Sequence, residues 1–530
     1  MTAQTAPRRA STRIESEREL VALAVKLGAA GVGGPLSASE RRCVDDASAA
    51  DSRLVTSVRA AIKAGEDPLG EAFCRIRSPL KRRDQGQFFT PPEIVNPMVD
   101  WILNKNPARI VDGGVGSGRY LMALVRNKYR GSVVGVDLDP VATLLTRANL
   151  AVLKPPFAFE IRNQDFLTTR IAPIDGVTAF VGNPPYVRHH DLSAQTKQRA
   201  KKMAERLDVK LSGLAGLHIL FTLRMVEQSK AGDVGCLVTS SEWIDTRYGS
   251  VLRELSASSL GLERADLIDP RSVAFDDAMA SALIYSWTLG FKGPKRFRKV
   301  STRQQLRSLS GGKEVRWPKL LRPRWSPLFE PDTTSSGTKR LGEIARVHRG
   351  SATGANNFFV MTREQARDRG IERWVVPCLT RATEVIEAGG IIRLDRVAKV
   401  ILDLPVVIPA DDAALAAYIK SGERSGFDKR YLCAHRNPWY RLGLKPAANI
   451  VATYMARQPP VFALNAPDVR STNTVHGIYL RDPKASLKRK KELVAWLNAH
   501  RHEFSGRTYH GGLTKFEPGE MEDIAIIWPS

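Results

Sequence analysis

The chain has 530 residues and a mass of 58.5 kDa, too long for a single hydrophobic core, so two or three domains are expected. With 43% hydrophobic and 25% charged residues it is not collagen-like, coiled-coil or wholly disordered. Its 80 lysines and arginines against 55 acids leave a net charge of +25, which favours a polyanionic partner, nucleic acid first.

The opening MTAQTAPRRASTR lacks an apolar leader and no run of 18 apolar residues follows, so a cytoplasmic protein without membrane contact is expected. Residues 1–16 read as a disordered tail. A helical N-terminal region follows over 17–84, with apolar spacing at Leu20, Leu23, Ala24 and Leu27, a break at Gly31 to Gly34, and a second series at Leu54, Val55, Val58 and Ile62. The five cysteines, Cys43, Cys74, Cys236, Cys378 and Cys433, form no CxxC pair. They predict buried thiols and neither a disulfide framework nor a metal site.

From Arg109 the texture changes to short β-branched runs separated by helical stretches: Arg109 to Asp112, Val133 to Asp137, Ala158 to Arg162, Ala179 to Gly182, Val234 to Thr239, Ala265 to Ile268 and Ala282 to Leu289. This alternation predicts βαβ units and a Rossmann-like α/β domain over 85–290, with a mainly parallel sheet of seven strands. The last two runs lie close enough for an antiparallel edge. The stretch Leu214 to Ser229 has the amphipathic spacing of a crossover helix. Residues 291–337 read as a basic connector, because 291–330 holds twelve lysines and arginines against two glutamates. The connector touches phosphate or is merely solvated. A mixed α/β domain fills 338–530, with β-like runs near Val360, near Val375 and from Val397 to Leu402, and helices near 412–420 and 486–500.

Four strand ends carry chemistry. In IVDGGVGSGRYL a strand ends in Asp112 and passes through Gly113, Gly114, Gly116 and Gly118 into a helix, so a ligand can approach the backbone at a helix N-terminus. The spacing is not that of the dinucleotide fingerprint. Asp137, in VVGVDLDP, stands 19 residues after Gly118, where a doubly wound sheet offers a carboxylate to ribose hydroxyls. In NQDFL, Asp165 suits an exocyclic amine and Phe166 suits stacking on adenine. To this point a dehydrogenase would still fit.

The fourth, FVGNPPYVRHH, sets Asn183, Pro184, Pro185 and Tyr186 directly after a strand. Two prolines fix φ and remove two N–H donors, so the turn presents carbonyls to the cleft. The Asn183 oxygen and the Pro184 carbonyl can take both protons of an amine, aiming its lone pair at a sulfonium methyl group, while Tyr186 stacks on the base. His189 and His190 follow, but the transfer creates an acidic ammonium and needs no histidine base.

The order GQFFTPPEIV, VDGGVGSG, GVDLDP, NQDFL and GNPPY, followed by a long basic C-terminal region, resembles the gamma-group DNA adenine-N6 methyltransferases that use S-adenosyl-L-methionine. The resemblance implies that Thr90 and Pro91 close over the methionine portion of the cofactor. It also implies that Asp112 and the loop of Gly114, Gly116 and Gly118 hold the methionine end, Asp137 the ribose, and Asp165 with Phe166 the adenine. Asn183, Pro184, Pro185 and Tyr186 then form the catalytic turn, and Phe275 is either a second aromatic against the flipped base or a core residue. The family usually reads Asp-Pro-Ala in the first loop, whereas Asp112-Gly113-Gly114 adds backbone freedom here. VHRGSATGANNFFV and GGLTKFEPGEMEDIAI resemble the family's target-recognition region. There Arg349, Arg436, Arg441, Arg470, Arg507 and Lys515 are candidate phosphate contacts, with Asn356, Asn357, Trp439 and Tyr440 near bases, unless these are solvated surface. The expected partners are double-stranded DNA and, in restriction–modification or phage defence, a companion restriction endonuclease. The same turn also serves enzymes that methylate protein glutamine or RNA guanine, and a non-catalytic DNA-binding module is a further alternative.

Overall fold

The computed structural model describes residues 14–78, 82, 86, 89–269, 282–329, 338–456, 458–504, 507–509 and 513–527. The chain divides into two compact units, Met1–Pro331 and Asp332–Ser530.

The first unit is built on nine strands: β1 Arg109–Asp112, β2 Ser132–Asp137, β3 Ala158–Asn163, β4 Thr178–Gly182, β5 Val234–Ser240, β6 Leu262–Ile268, β7 Ala282–Thr288, β8 Lys295–Val300 and β9 Lys313–Val315. They lie in the order β3-β2-β1-β4-β5-β7-β6-β8-β9. The block from β3 to β5 is parallel throughout, and β7 runs antiparallel to both β5 and β6. Alternation along the strands supplies both faces with apolar side chains. Ile110, Val133 and Val181 pack with Ile94 and Leu121 on one side, while Val111, Val134 and Phe180 pack with Leu220 and Leu252 on the other. The chain leaves β1 first toward β2 and β3, then returns to β4 on the opposite flank, which makes the C-terminal ends of β1 and β4 a topological switch point.

Several expectations change. The basic stretch after 290 is no connector: β8 pairs in parallel with β6, β9 pairs with β8, and the sheet has nine strands instead of seven. Arg298 sits in register with the buried Asp266 and donates to it at 2.5 Å, beside Arg264 at 2.7 Å, so part of the positive run neutralises a carboxylate inside the sheet. β7 is an inner strand, because β8 and β9 extend the sheet beyond β6. The helical N-terminal region is a layer of the same unit. Leu20, Leu23 and Ile62 pack against Leu144, Leu145 and Ala148 of the helix Pro140–Leu153, and fully buried Arg147 pairs with fully buried Glu40 at 3.0 Å. Residues 1–13 lie outside the described set, but Ile14 is buried and Ser16 caps the helix Glu17–Lys26, so order begins before residue 17. Of the cysteines, Cys236, Cys378 and Cys433 are buried, whereas Cys43 and Cys74 are only half-buried.

In the second unit the runs at Val360–Thr362, Val375–Leu379 and Lys399–Leu402 are strands of one four-stranded sheet. Helices occur at Ala413–Arg424 and Leu487–His500. A second four-stranded sheet, Ala345–Arg349, Val475–Leu480, Ile450–Thr453 and Phe462–Leu464, carries the core of Ile450, Phe462 and Ile478.

The integration of β8 is directly measurable. Phe297 is 1% exposed and packs its ring 5.4 Å from Trp325 and 5.1 Å from Phe329. Phe297→Ala is expected to cost about 3 kcal/mol or more in urea unfolding, in the range for a buried aromatic. A solvated connector would lose nothing measurable.

Candidate active site

At the switch point the ends of β1 and β4 are in register, with Asp112 opposite Val181. The next residue, Gly182, has no side chain because a Cβ there would stand 2.8 Å from Asp112 Oδ1. That contact lets Asn183 follow immediately beside the glycine loop. Gly118, at φ 85°, turns the loop into the helix Arg119–Arg126, and a Cβ on Gly116, at φ 56°, would meet the Phe89 ring at 2.7 Å. At Gly113 the reason differs from flexibility: a Cβ would reach the Phe166 ring at 3.0 Å, so the departure from Asp-Pro-Ala makes room for this aromatic.

A cavity of about 620 Å³ opens over these strand ends. Its lining includes Thr90, Gly114, Gly116, Asp137, Asp165, Phe166, Asn183 and Pro185. Pro91, Asp112, Gly118, Pro184 and Tyr186 are not among the residues that line it. Pro91 precedes the helix Pro92–Leu103, and Phe275 lies outside the described residues.

Asp112 is fully buried; its Oδ1 accepts from Gly114 N at 3.2 Å and its Oδ2 has no hydrogen-bond partner. Burial, with the nearby Asp137 charge, pushes its carboxyl up to about 8. Asp137 accepts from Gly116 N at 2.9 Å and Asp139 N at 3.0 Å, so each oxygen keeps one lone pair for a ligand. Burial raises it to about 6. Asp165 accepts from Leu167 N at 3.0 Å and pairs with Arg199 at 3.2 Å. Phe166 is buried, 5.2 Å from Phe221. Tyr186 donates to Val238 O at 3.4 Å and meets the His218 ring edge-on at 6.1 Å.

Sequence reasoning missed the residues that stiffen the loop. Asp67 accepts from Ser117 Oγ at 2.6 Å, Arg119 Nε at 2.7 Å and Gly70 N at 3.0 Å. Arg119 also donates to Thr90 O at 3.1 Å, tying the segment before the sheet to the glycine loop. The available signal was Asp67-Pro68, an N-cap followed by a helix-starting proline. Arg199 sits in a basic helix where no spacing singles it out. His218 is buried with an unpartnered Nε2, and burial lowers its pKa to about 4, so it is a neutral imidazole behind Tyr186.

In the second unit several residues expected to reach DNA are engaged within the protein. Arg349 and Lys515 both pair with Glu517 and both lie 5.8 Å from the Tyr454 ring. Arg436 donates to Thr353 O at 2.8 Å, and Trp439 packs 4.9 Å from Phe358. Asn356 and Asn357 remain exposed.

Residues 67–242 match the family model described as N-6 DNA Methylase. Residues 317–530 match the model described as Type II methyltransferase M.Eco57I, C-terminal domain. The chain is 36% identical to Type II methyltransferase M.XamI of Xanthomonas campestris pv. amaranthicola, over 97% of this chain and 98% of that protein. It is 24% identical to Type II methyltransferase M.AccI of Acinetobacter calcoaceticus, over 84% and 87% of the two. Among solved structures, the type IIG restriction endonuclease BpuSI has a TM-score of 0.48 at 14% identity, covering 96% of this chain and 69% of that one. The family match and the Type II methyltransferase relatives do not favour the RNA, protein-glutamine or non-catalytic alternatives. With a full-length relative at this identity and the N-6 DNA methylase match spanning the glycine loop and the Asn183 to Tyr186 turn, the chain belongs to the Type II family of adenine-N6 DNA methyltransferases.

Proposed function

We propose that the chain binds S-adenosylmethionine in the cavity over β1, β2 and β4 and methylates N6 of an adenine flipped from duplex DNA, beside a companion restriction endonuclease. The observation that carries this reading is the convergence of the glycine loop, Asp137, Asp165 and the Asn183-Pro185 turn on one cavity. The residues fit the cofactor: Asp112 Oδ2 is a buried polar atom without a partner, and Asp137 retains acceptor capacity. Bound there, S-adenosylmethionine supplies a methyl group on a sulfonium centre.

Asp137 would accept from the ribose hydroxyls, Phe166 would flank the adenine, and the glycine loop with Asp112 would hold the methionine end. Asp165 can take the adenine amine only by sharing its carboxylate with Arg199 or displacing it. At the catalytic turn, Asn183 Oδ1 and Pro184 O accept the two N6 protons of the target base and pull the nitrogen lone pair out of conjugation with the ring. Tyr186 stacks on that base, a contact worth about 1–3 kcal/mol against the cost of unstacking it. His189 and His190 do not line this cavity, in keeping with a reaction that needs no base. The second unit would read the recognition sequence.

Asn183→Ala is expected to lower kcat about 100-fold or more, on the scale of removing one preorganised polar contact to a transition state, while cofactor affinity stays within about threefold. Equal losses in both would remove Asn183 from the reacting centre. Cofactor affinity should decline as pH falls below about 6, where Asp137 takes up a proton and loses acceptor capacity. Asp137→Asn should bind more weakly with a flat profile, as read by calorimetry. Asp112 binds its proton more tightly folded, up to about 8, than unfolded, at about 3.9. Its contribution to stability is therefore full below about pH 4 and lost as pH rises to about 8. In thermal unfolding of the cofactor-free protein, Asp112→Asn should gain on the wild type as pH rises.

A further inference from the structure

A second cavity, of about 370 Å³, lies beside the catalytic turn and has no part in the reaction described above. Its floor is apolar, made by Leu192, Ala200, Ala204 and Leu220, and its rim carries His189, Lys197 and Lys201. Lys197 and Lys201 are one turn apart on the helix Ala194–Arg206, both exposed, and neither pairs with a carboxylate among the described residues. Glu205 is the only acid in the described lining. Two ammonium groups one turn apart repel each other, and an anion between them relieves the repulsion.

The position identifies the anion. His189 is three residues beyond Tyr186, so the rim begins within about 10 Å of the base-stacking residue, roughly the axial rise of three nucleotides of one strand. The backbone between them is pinned, since Val187 O accepts from Leu217 N at 3.0 Å. A free nucleotide or an acidic peptide would not need this proximity. A strand held at Tyr186 through its flipped base has this rim within reach, with an apolar floor suited to its sugars and lysines suited to its phosphates.

We propose that Lys197 and Lys201 bind a backbone phosphate of the strand carrying the target adenine, a few nucleotides from the flipped one, and anchor that strand while the base leaves the stack. The inference rests on the duplex-DNA reading of the main site. The test is DNA affinity of the full-length protein over a salt series, using unmodified duplex DNA and saturating S-adenosylhomocysteine. Lys197→Gln/Lys201→Gln should flatten the slope of log affinity against log salt by about 0.9, one phosphate's worth. The Lys→Arg pair should restore the slope, and Lys202→Gln, on the same helix but outside the cavity, should leave it unchanged. Cofactor affinity serves as the folding check. An unchanged slope in a double variant that still binds cofactor overturns the phosphate site. Failure of the wild type to bind duplex DNA overturns the main reading, and the site with it.

Discussion

The missing Cβ of Gly182 is the constraint on which the site depends. A buried carboxylate at the end of β1 and the backbone at the end of β4 occupy neighbouring register positions, and a methyl group there would stand 2.8 Å from the Asp112 oxygen. With glycine, Asn183 follows directly beside buried Asp112 and opens, with the glycine loop, onto one crevice. Burial keeps Asp112 protonated to higher pH than an ordinary carboxyl, and a cationic ligand group would draw it back toward the charged form. The same economy of space governs Gly113 and Gly116, which admit the Phe166 and Phe89 rings.

Around this crevice the charges divide into structural and free sets. Glu40 with Arg147, Asp67 with Arg119, and Asp266 with Arg298 tie the N-terminal helices, the glycine loop and the added strands to the central sheet. Glu517 similarly occupies Arg349 and Lys515 in the second unit. A large positive excess is therefore not uniformly available to DNA. Lys197 and Lys201, exposed at the rim of the second cavity, are claimed by no carboxylate of the described residues.

Much of this architecture was legible in the sequence. The seven predicted runs coincide with β1 to β7 to within three residues at either end, since buried parallel strands must be β-branched and apolar on both faces. The motif residues fell at strand ends because α/β ligand sites form there. What escaped prediction has a common physical cause, long-range pairing. Residues 295–315 look like a linker because their charge is high, and only the partner Asp266 and the rings of Trp325 and Phe329 reveal them as sheet. Asp67, Arg199 and Trp439 are defined by partners 16 or more positions away, which local periodicity does not register.

The most direct test of the central claim is methyl transfer from labelled S-adenosylmethionine to unmodified duplex DNA, with nucleoside analysis and mapping of the modified positions. The account predicts N6-methyladenine confined to one short recurring sequence. Label in RNA or protein, or methylated cytosine in place of adenine, would contradict it.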